Sequence, residues 1–297
     1  MPAPALLRPM TLDDVAAVDR LTDDGFYDLD VRTHRTGWPE PARRSAARSA
    51  AWRRRLAHLV EHDGPGCWVA EDEDGALVGA VASMTRELMW LLATFVVRPG
   101  ARGQGLGRQL LEAALSHGRG CLRGMLAASE DPLAVRRYRL AGFDLHPAML
   151  LWGTVDRDVL PVVEHVRGGA PGDIDLMNSV DRQTRGAAHG ADHELLVATY
   201  PLLVVDRAFG SGYAYLNEGG GPYLLAATSR RAATALLWEC LAAGSPEVPV
   251  TVGHISAANP WAVDVGMAAR MELHTRGYLA LRGMQPPAPY LPCGTFL

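Results

Sequence analysis

The sequence predicts a mixed α/β fold (α+β, with a mixed sheet) that is built as two related units in tandem. The chain has 297 residues, which is enough for two domains of ordinary size. Strand-like and helix-like segments alternate through residues 1–155, as in proteins whose helices pack on a sheet. A similar order of segments returns in residues 156–297. We therefore predict two domains, 1–155 and 156–297.

The first unit reads as strand, helix, helix, hairpin, strand, helix, strand, helix and strand. Residues 5–10 predict a short strand, and Thr11 with Asp14 forms a capping pattern before an apolar-periodic helix. A turn at Asp74-Gly75 separates the two arms of a hairpin, and a long apolar strand follows at Leu88–Val97. A further helix, strand, helix and strand complete this unit.

The second unit follows a segment rich in proline and glycine, residues 155–175, which predicts a linker. After one helix and a strand hairpin, the sequence predicts a helix at 229–242, a strand, a helix at 259–274 and a last strand. The tail after residue 283 is rich in proline and is predicted to be extended, as a strap across the protein or a partner.

Composition limits the classes of function. The net charge is −4 and all 29 basic residues are arginine, so neither half has the basic excess of a nucleic-acid binder. The longest apolar stretch is about half the length that a membrane span needs. The four cysteines lie far apart, in no metal-type or redox-type spacing. We expect a cytoplasmic protein without a metal, nucleic-acid or membrane partner.

A glycine-rich turn joins the long apolar strand to the next predicted helix. The strand ends at Pro99, and Gly103, Gly105 and Gly107 follow before the helix. Such a turn presents several backbone N–H groups at a helix N-terminus, where a phosphate group can bind. Glycine also lets a ligand approach the main chain closely. The turn therefore predicts a phosphate-binding loop.

Two other phosphate loops do not fit this turn. The NTP-binding loop needs Lys and Ser or Thr after its last glycine, whereas Gly105 is followed by Leu106, Gly107 and Arg108. The dinucleotide-binding loop needs Gly or Ala at the position that Arg108 occupies. Both classes are therefore excluded.

The turn does resemble the pyrophosphate loop of the GNAT superfamily of CoA-dependent N-acetyltransferases. The resemblance rests on the pattern Arg102-x-x-Gly105-x-Gly107, and on Val97-x-Pro99 directly before it. It implies a GNAT fold and a role for acetyl-CoA as co-substrate. A purely structural turn is the alternative, and the position of the pattern between a strand and a helix makes that alternative weaker.

A second motif lies at the distance that this family would require. Ala134, Tyr138 and the pair Gly142-Phe143 resemble the GNAT segment that carries the catalytic tyrosine on a helix. Asp131 stands where the family usually has an asparagine that contacts the pantetheine arm of CoA. A carboxylate can still accept a hydrogen bond, so Asp131 is the expected contact here. Tyr138 could instead be a core aromatic residue, but the two motifs together favour the catalytic interpretation.

The resemblance implies a set of cofactor contacts and a mechanism. Backbone N–H groups of the strand would hold the acetyl carbonyl and the pantetheine arm. The loop would bind the pyrophosphate, with an arginine adding charge. The expected contacts are Phe95, Val96, Val97, Arg102, Gly103, Gln104, Gly105, Leu106, Gly107, Arg108 and Asp131. Tyr138 would protonate the CoA sulfur, because the pKa of tyrosine is close to that of an alkyl thiol.

The general base and the acceptor are less well defined by the sequence. Glu87, at the start of the central strand, is the expected base, with His146 and Glu130 as alternatives. In GNAT enzymes the connection between the first two helices usually walls the acceptor pocket. Here its aspartates, in residues 23–30, could attract the cationic form of a small amine. A peptide N-terminus is the alternative acceptor. A homodimer is a possible assembly.

The second unit resembles a degenerate GNAT copy that completes the acceptor pocket of the first. Ser229-Arg230-Arg231 follows its hairpin, with no glycine where the phosphate loop should be. Residues 259–262 resemble the start of the tyrosine motif, but Leu273 stands four positions before Gly277-Tyr278 and cannot donate a proton. One working site per chain is therefore predicted. A non-catalytic acyl-CoA sensor and a scaffold are the competing functions.

Overall fold

The computed structural model describes residues 5–36, 38 and 40–297. The chain forms two compact units, Met1–Leu122 and Arg123–Leu297. This division at residue 122 follows the contacts between residues. The predicted boundary at residue 155 instead separates the two similar halves of the sequence, and it stays a prediction. In the described part of the chain, no helix is long and apolar enough to cross a membrane.

The first compact unit is a four-stranded antiparallel sheet with three helices. The strands follow one another in the order β1-β2-β3-β4. Their bounds, with those of the helices, are β1 Leu6–Pro9, α1 Val15–Thr33, α2 Ala46–Asp63, β2 Cys67–Glu71, β3 Leu77–Arg86, β4 Met89–Val97 and α3 Leu106–His117.

Helix α3 packs on this sheet because its apolar residues recur at helical spacing. Leu106, Leu110 and Ala114 are all buried along one face. Gly79 of β3 allows the close approach, since a Cβ atom there would lie 2.7 Å from Cδ1 of Leu110. The packing of α3 on β3 fixes where the N-terminus of α3 lies relative to the end of β4.

The second compact unit contains nine strands and five helices among its described residues. Their bounds are β5 Arg123–Ala128, α4 Pro132–Leu140, β6 Asp144–Gly153, β7 Val166–Gly168, α5 Ile174–Thr184, α6 Asp192–Thr199, β8 Leu202–Arg207, β9 Gly210–Leu216, β10 Pro222–Ala227, α7 Arg230–Ala242, β11 Val250–Ile255, α8 Pro260–Ala268, β12 Glu272–Arg282 and β13 Tyr290–Leu291.

One group of strands in this unit combines both halves of the sequence. The order is β5-β12-β6-β11, and β12 pairs antiparallel with β5 on one side and with β6 on the other. A strand of the second copy thus lies between two strands that the sequence assigns to the first copy. This exchange explains why β5, α4 and β6 pack with the C-terminal half of the chain.

The other sheet of this unit has the order β13-β10-β9-β8-β7. Its edge strand β13 comes from the C-terminal tail and pairs with β10. Phe296 and Leu297, beyond β13, are also buried. The proline-rich tail is therefore an integral part of the second unit, where it straps one edge of the sheet.

The predicted mixed α/β fold is confirmed, but three features of the second copy were missed. Strands β7 and β8 and helix α6 were not predicted. In α6, Asp192 and His193 are fully buried, so polar residues hide the apolar periodicity that would mark a helix. The helix predicted at 259–274 ends at Ala268 instead, because Arg270 has a left-handed backbone (φ 60°) that sequence rules assign to glycine.

Candidate functional site

The glycine turn of the first unit is an open loop between β4 and α3. Gly103 and Gly105 both have left-handed backbone conformations, with φ of 82° and 85°. A Cβ atom built on either glycine meets no atom within 4 Å. The backbone conformation, rather than crowding within this unit, therefore requires glycine at these positions.

Several amide groups of this loop, at the start of α3, have no hydrogen-bond acceptor among the described residues. Among the described residues, the N–H groups of Gly103, Gln104, Gly105, Leu106 and Gly107 donate to no acceptor. The first four N–H groups of a helix have no partner within the helix, and the positive end of the helix dipole lies at the same place. Five consecutive donors in an exposed loop form a site for an anion such as a pyrophosphate.

The two arginines that were predicted to add charge both have protein partners. Arg102 donates from Nε to the carbonyl oxygen of Val97 at 3.0 Å and lies 3.6 Å from the carboxylate of Asp28. Arg108 forms an exposed ion pair with Glu112 one helical turn later, at 2.7 Å. Arg102 therefore positions the loop against β4, whereas the exposed pair of Arg108 contributes little to stability.

Strand β4, which leads into the loop, carries the other predicted contacts. Phe95 and Val97 are half-buried and Val96 is buried. The strand has a β-bulge at Ala93, because Thr94 pairs with Ala82 while Leu92 pairs with Ser83. Bulges are common next to active sites, where they interrupt the pairing of a strand. The sequence carries no signal for this bulge, since no glycine or proline marks it.

Glu87, the predicted general base, does not lie in the central strand. It occupies the exposed turn between β3 and β4, with a φ of 52°. Strand β4 separates this turn from Phe95 by the six steps from Met89, which is about 20 Å at ~3.3 Å per residue. Phe95 and Glu87 are therefore not brought together.

The aspartates predicted to attract an amine are part of helix α1 rather than of a connection. Asp23 and Asp24 form ion pairs with Arg43, and Asp28 forms ion pairs with Arg32 and Arg102. Because these carboxylates already have arginine partners, the prediction that they attract a cationic acceptor has no support. The predicted connection spans residues 23–39 and so also contains Gly37 and Pro39, which lie outside the described residues.

Tyr138 and Asp131 both belong to α4, in the second unit. Tyr138 is buried, and burial together with the nearby charge of Asp131 raises its pKa above the ordinary value of about 10. Asp131 is the N-cap of α4, where its Oδ1 accepts the N–H groups of Leu133 and Ala134 at 2.9 and 3.3 Å. Tyr138 is therefore held in its protonated form on a well-capped helix.

The alternative bases also have definite places in the second unit. Glu130, between β5 and α4, accepts the backbone N–H of Gly277 through Oε1 at 3.3 Å. His146 is half-buried in β6. Glu130 and His146 both stay alternatives for the general base.

Part of the chain matches the model of a known protein family. The model of the acetyltransferase (GNAT) family matches residues 24–143, a range that contains both the glycine loop and the helix of Tyr138. Comparison with curated proteins gives no significant match.

Several solved structures share the fold over nearly the whole chain. A candidate acetyltransferase from Pyrococcus horikoshii has a TM-score of 0.73 and 17% identity, and covers 98% of this chain and 95% of its own. A GCN5-related N-acetyltransferase from Sphaerobacter thermophilus has a TM-score of 0.59 and 16% identity, with 95% and 96% covered. A third, from Kribbella flavida, has a TM-score of 0.59 and 18% identity, with 94% and 70% covered.

At such low identity these structures show a shared fold and no more. Residues 24–143, less than half of the 297-residue chain, are similar to the acetyltransferase (GNAT) family.

Proposed function

We propose that this protein is an acetyl-CoA-dependent N-acetyltransferase that transfers the acetyl group directly to a small amine, with Tyr138 as general acid. The observation that carries this proposal is the row of five backbone N–H groups from Gly103 to Gly107, which have no acceptor among the described residues. They offer a pyrophosphate more donors than one helix N-terminus alone would provide.

The strand before the loop would receive the rest of the cofactor. The pyrophosphate binds at the start of α3, and the pantetheine arm runs along β4 at Phe95, Val96 and Val97. The bulge at Ala93 interrupts strand pairing beside this segment. Backbone donors there can stabilise the oxyanion that forms on the acetyl carbonyl, which is the largest contribution to many acyl transfers.

Tyr138 supplies the proton that the leaving group needs. The amine nitrogen attacks the thioester carbonyl, a C–N bond forms and the C–S bond breaks, and the thiolate takes the phenol proton. Because its pKa is raised, Tyr138 is protonated in neutral and mildly basic solution. The proton lost by the amine goes to water or to a base other than Glu87, whose turn lies about 20 Å of strand away from Phe95.

The experiment that tests this role is Tyr138→Phe, which removes the phenol proton and keeps the buried ring. We measure CoA thiol release from acetyl-CoA with a panel of primary amines, together with the Kd of acetyl-CoA. The expected result is a fall in kcat of about a hundred- to ten-thousand-fold with an unchanged Kd. Tyr200→Phe, which changes a half-buried tyrosine stacked on Tyr223 at 4.2 Å, is the matched control and keeps full activity.

Two results would contradict the proposal in different ways. Full activity in Tyr138→Phe would contradict the general-acid role of Tyr138, whereas the proposed acetyltransferase activity would still stand. Acetyl-CoA binding by the wild type without thiol release for any amine of the panel would favour the competing function, a non-catalytic acyl-CoA sensor.

A further inference from the structure

The second compact unit contains a buried polar cluster that acetyl transfer does not use. Its centre is Asp181 of α5, and around it lie His189, His193 of α6 and two tyrosines of β9, Tyr213 and Tyr215. All five side chains are fully buried. Such a concentration of polar groups in a core needs a compensating interaction, because burial of unpaired polar groups is costly.

The distances within the cluster are short and converge on one carboxylate. Oδ2 of Asp181 lies 2.7 Å from Nδ1 of His189 and 2.9 Å from Nε2 of His193. The hydroxyl of Tyr213 lies 2.5 Å from Oδ1 of Asp181 and 3.4 Å from Nδ1 of His189. Asp181, His189 and His193 thus offer ligand atoms within 4.8 Å of one another, of types that zinc binds. The hydroxyl of Tyr213 lies beside them.

Hydrogen bonds among these residues leave the cluster incomplete. Nε2 of His189 is buried and has no hydrogen-bond partner among the described residues. Nor does an arginine form an ion pair with Asp181 in this part of the chain. The nearest cation, Arg185, gives its hydrogen bonds to main-chain oxygens, including those of Ala187 and Phe296. A buried carboxylate without a direct positive partner is the setting in which a bound cation is stabilising.

We propose that Asp181, His189, His193 and Tyr213 bind one divalent transition-metal ion, with zinc as the best match, in a closed structural site. Ligand atoms around a tetrahedral zinc lie about 3.4 Å apart, since each bond is about 2.1 Å long. The observed separations of 2.5 to 3.4 Å are no longer than this, so the carboxylate moves outward when the ion binds. The hydroxyl of Tyr215 lies 3.0 Å from Nδ1 of His193 and orients that ring, as partners of metal-bound histidines do.

The sequence contains a signal for this site in the spacing of its histidines, which is independent of the cysteines. Two histidines four residues apart, His189 and His193, follow an aspartate at a short distance. Such H-x-x-x-H pairs are typical of zinc ligands. A second pair with the same spacing, His58 and His62, lies on α2, where His58 is half-buried and His62 is exposed.

The test uses the full chain, stripped with EDTA and then dialysed against zinc chloride. Zinc retained after gel filtration is measured by mass spectrometry, and the melting temperature is measured with and without zinc. We expect one zinc ion per chain and a higher melting temperature. His193→Ala should lose the retained ion, whereas the control His58→Gln/His62→Gln should keep it. A wild type that retains no zinc and melts at the same temperature would overturn the proposal, as would loss of zinc in the control alone.

A second measurement covers the case in which His193→Ala does not fold. The wild type is loaded with Co²⁺ in place of zinc, and its visible absorption is recorded. A buried four-coordinate site gives the strong bands of tetrahedral cobalt, and the control variant gives the same bands. The weak spectrum of octahedral, hydrated cobalt in the wild type would overturn the proposal.

Discussion

The two copies differ most at the connection between their fourth core strand and the helix that follows. In the first unit, residues 98–105 join β4 to α3 and include two glycines with left-handed backbones. In the second unit only residues 228–229 join β10 to α7, and Ser229 caps that helix by accepting the N–H of Ala232. Helix α3 thus starts with backbone N–H groups that have no acceptor among the described residues. At the start of α7, by contrast, the side chain of Ser229 already accepts the N–H of Ala232.

Helix α4, which carries Tyr138, has a counterpart in α8. Both α4 and α8 end in the same motif, since the N–H of Phe143 bonds the carbonyl of Tyr138 and the N–H of Met271 bonds that of Gly266. The residue equivalent to Tyr138 is therefore Gly266. The sequence alignment to Leu273 was wrong, because that residue lies in β12. The conclusion that the second copy lacks the acid nevertheless holds.

The second copy also uses an expected ligand-binding residue to hold its own tail. Asn259, at the position of the family's pantetheine-binding asparagine, donates to the carbonyl of Pro287 and accepts the N–H of Tyr290, at 3.0 and 2.9 Å. Its other bonds go to Ser256 and Trp261. Internal contacts thus occupy, in the second half of the chain, a position where the sequence resembles a cofactor motif.

The largest stability effect that follows from this comparison is expected at Asn259. Asn259→Ala removes four buried hydrogen bonds and leaves their partners unsatisfied, so the free energy of unfolding should fall by about 3 kcal/mol or more. Urea unfolding measures the loss, and limited proteolysis detects release of the tail. Asn217→Ala, which removes one side-chain bond to Pro222, is the control and should cost about 1 kcal/mol. The Kd of acetyl-CoA stays unchanged in both variants, and its loss in Asn259→Ala would show that the second copy binds the cofactor.

A smaller effect on the free energy of unfolding is expected at Gly266, the position equivalent to Tyr138. Gly266→Ala would normally stabilise a helix, but a Cβ atom at this position overlaps the side chain of Leu151. We expect a loss of about 1–3 kcal/mol in the free energy of unfolding. The double variant Leu151→Ala/Gly266→Ala should be less destabilised than the sum of the two single variants. A rise in the free energy of unfolding in Gly266→Ala would show that the side chain of Leu151 does not exclude a Cβ atom at this position.

The smallest effect concerns the helix cap that replaces the glycine loop. Ser229→Ala should lower the free energy of unfolding by about 1 kcal/mol, as expected for loss of an N-cap. Ser45→Ala, at the N-cap of α2, is the matched control and should cost a similar amount. Neither variant should alter acetyl-CoA binding. Weaker binding in Ser229→Ala alone would place a cofactor site at α7.

The sequence predicted the parts of this protein that depend on local patterns. The glycine turn and the tyrosine helix could be predicted because glycine and helical spacing each have a local physical meaning. The end of α8 could not, since Arg270 adopts a glycine-like conformation. Insertion of β12 between β5 and β6 depends on long-range pairing, which no local pattern encodes. The buried cluster around Asp181 was missed because its polar side chains resemble those of a surface.

The central claim, one cofactor site per chain at the glycine loop, is tested most directly by isothermal titration with acetyl-CoA. Gly105→Asp places a carboxylate in the anion-binding loop, and Gly75→Asp is the matched control because Gly75 also has a left-handed backbone (φ 75°) with no atom near its Cβ position. We predict a stoichiometry of one for the wild type and for Gly75→Asp, and no binding for Gly105→Asp. Two sites per chain, or binding that survives in Gly105→Asp, would contradict the account.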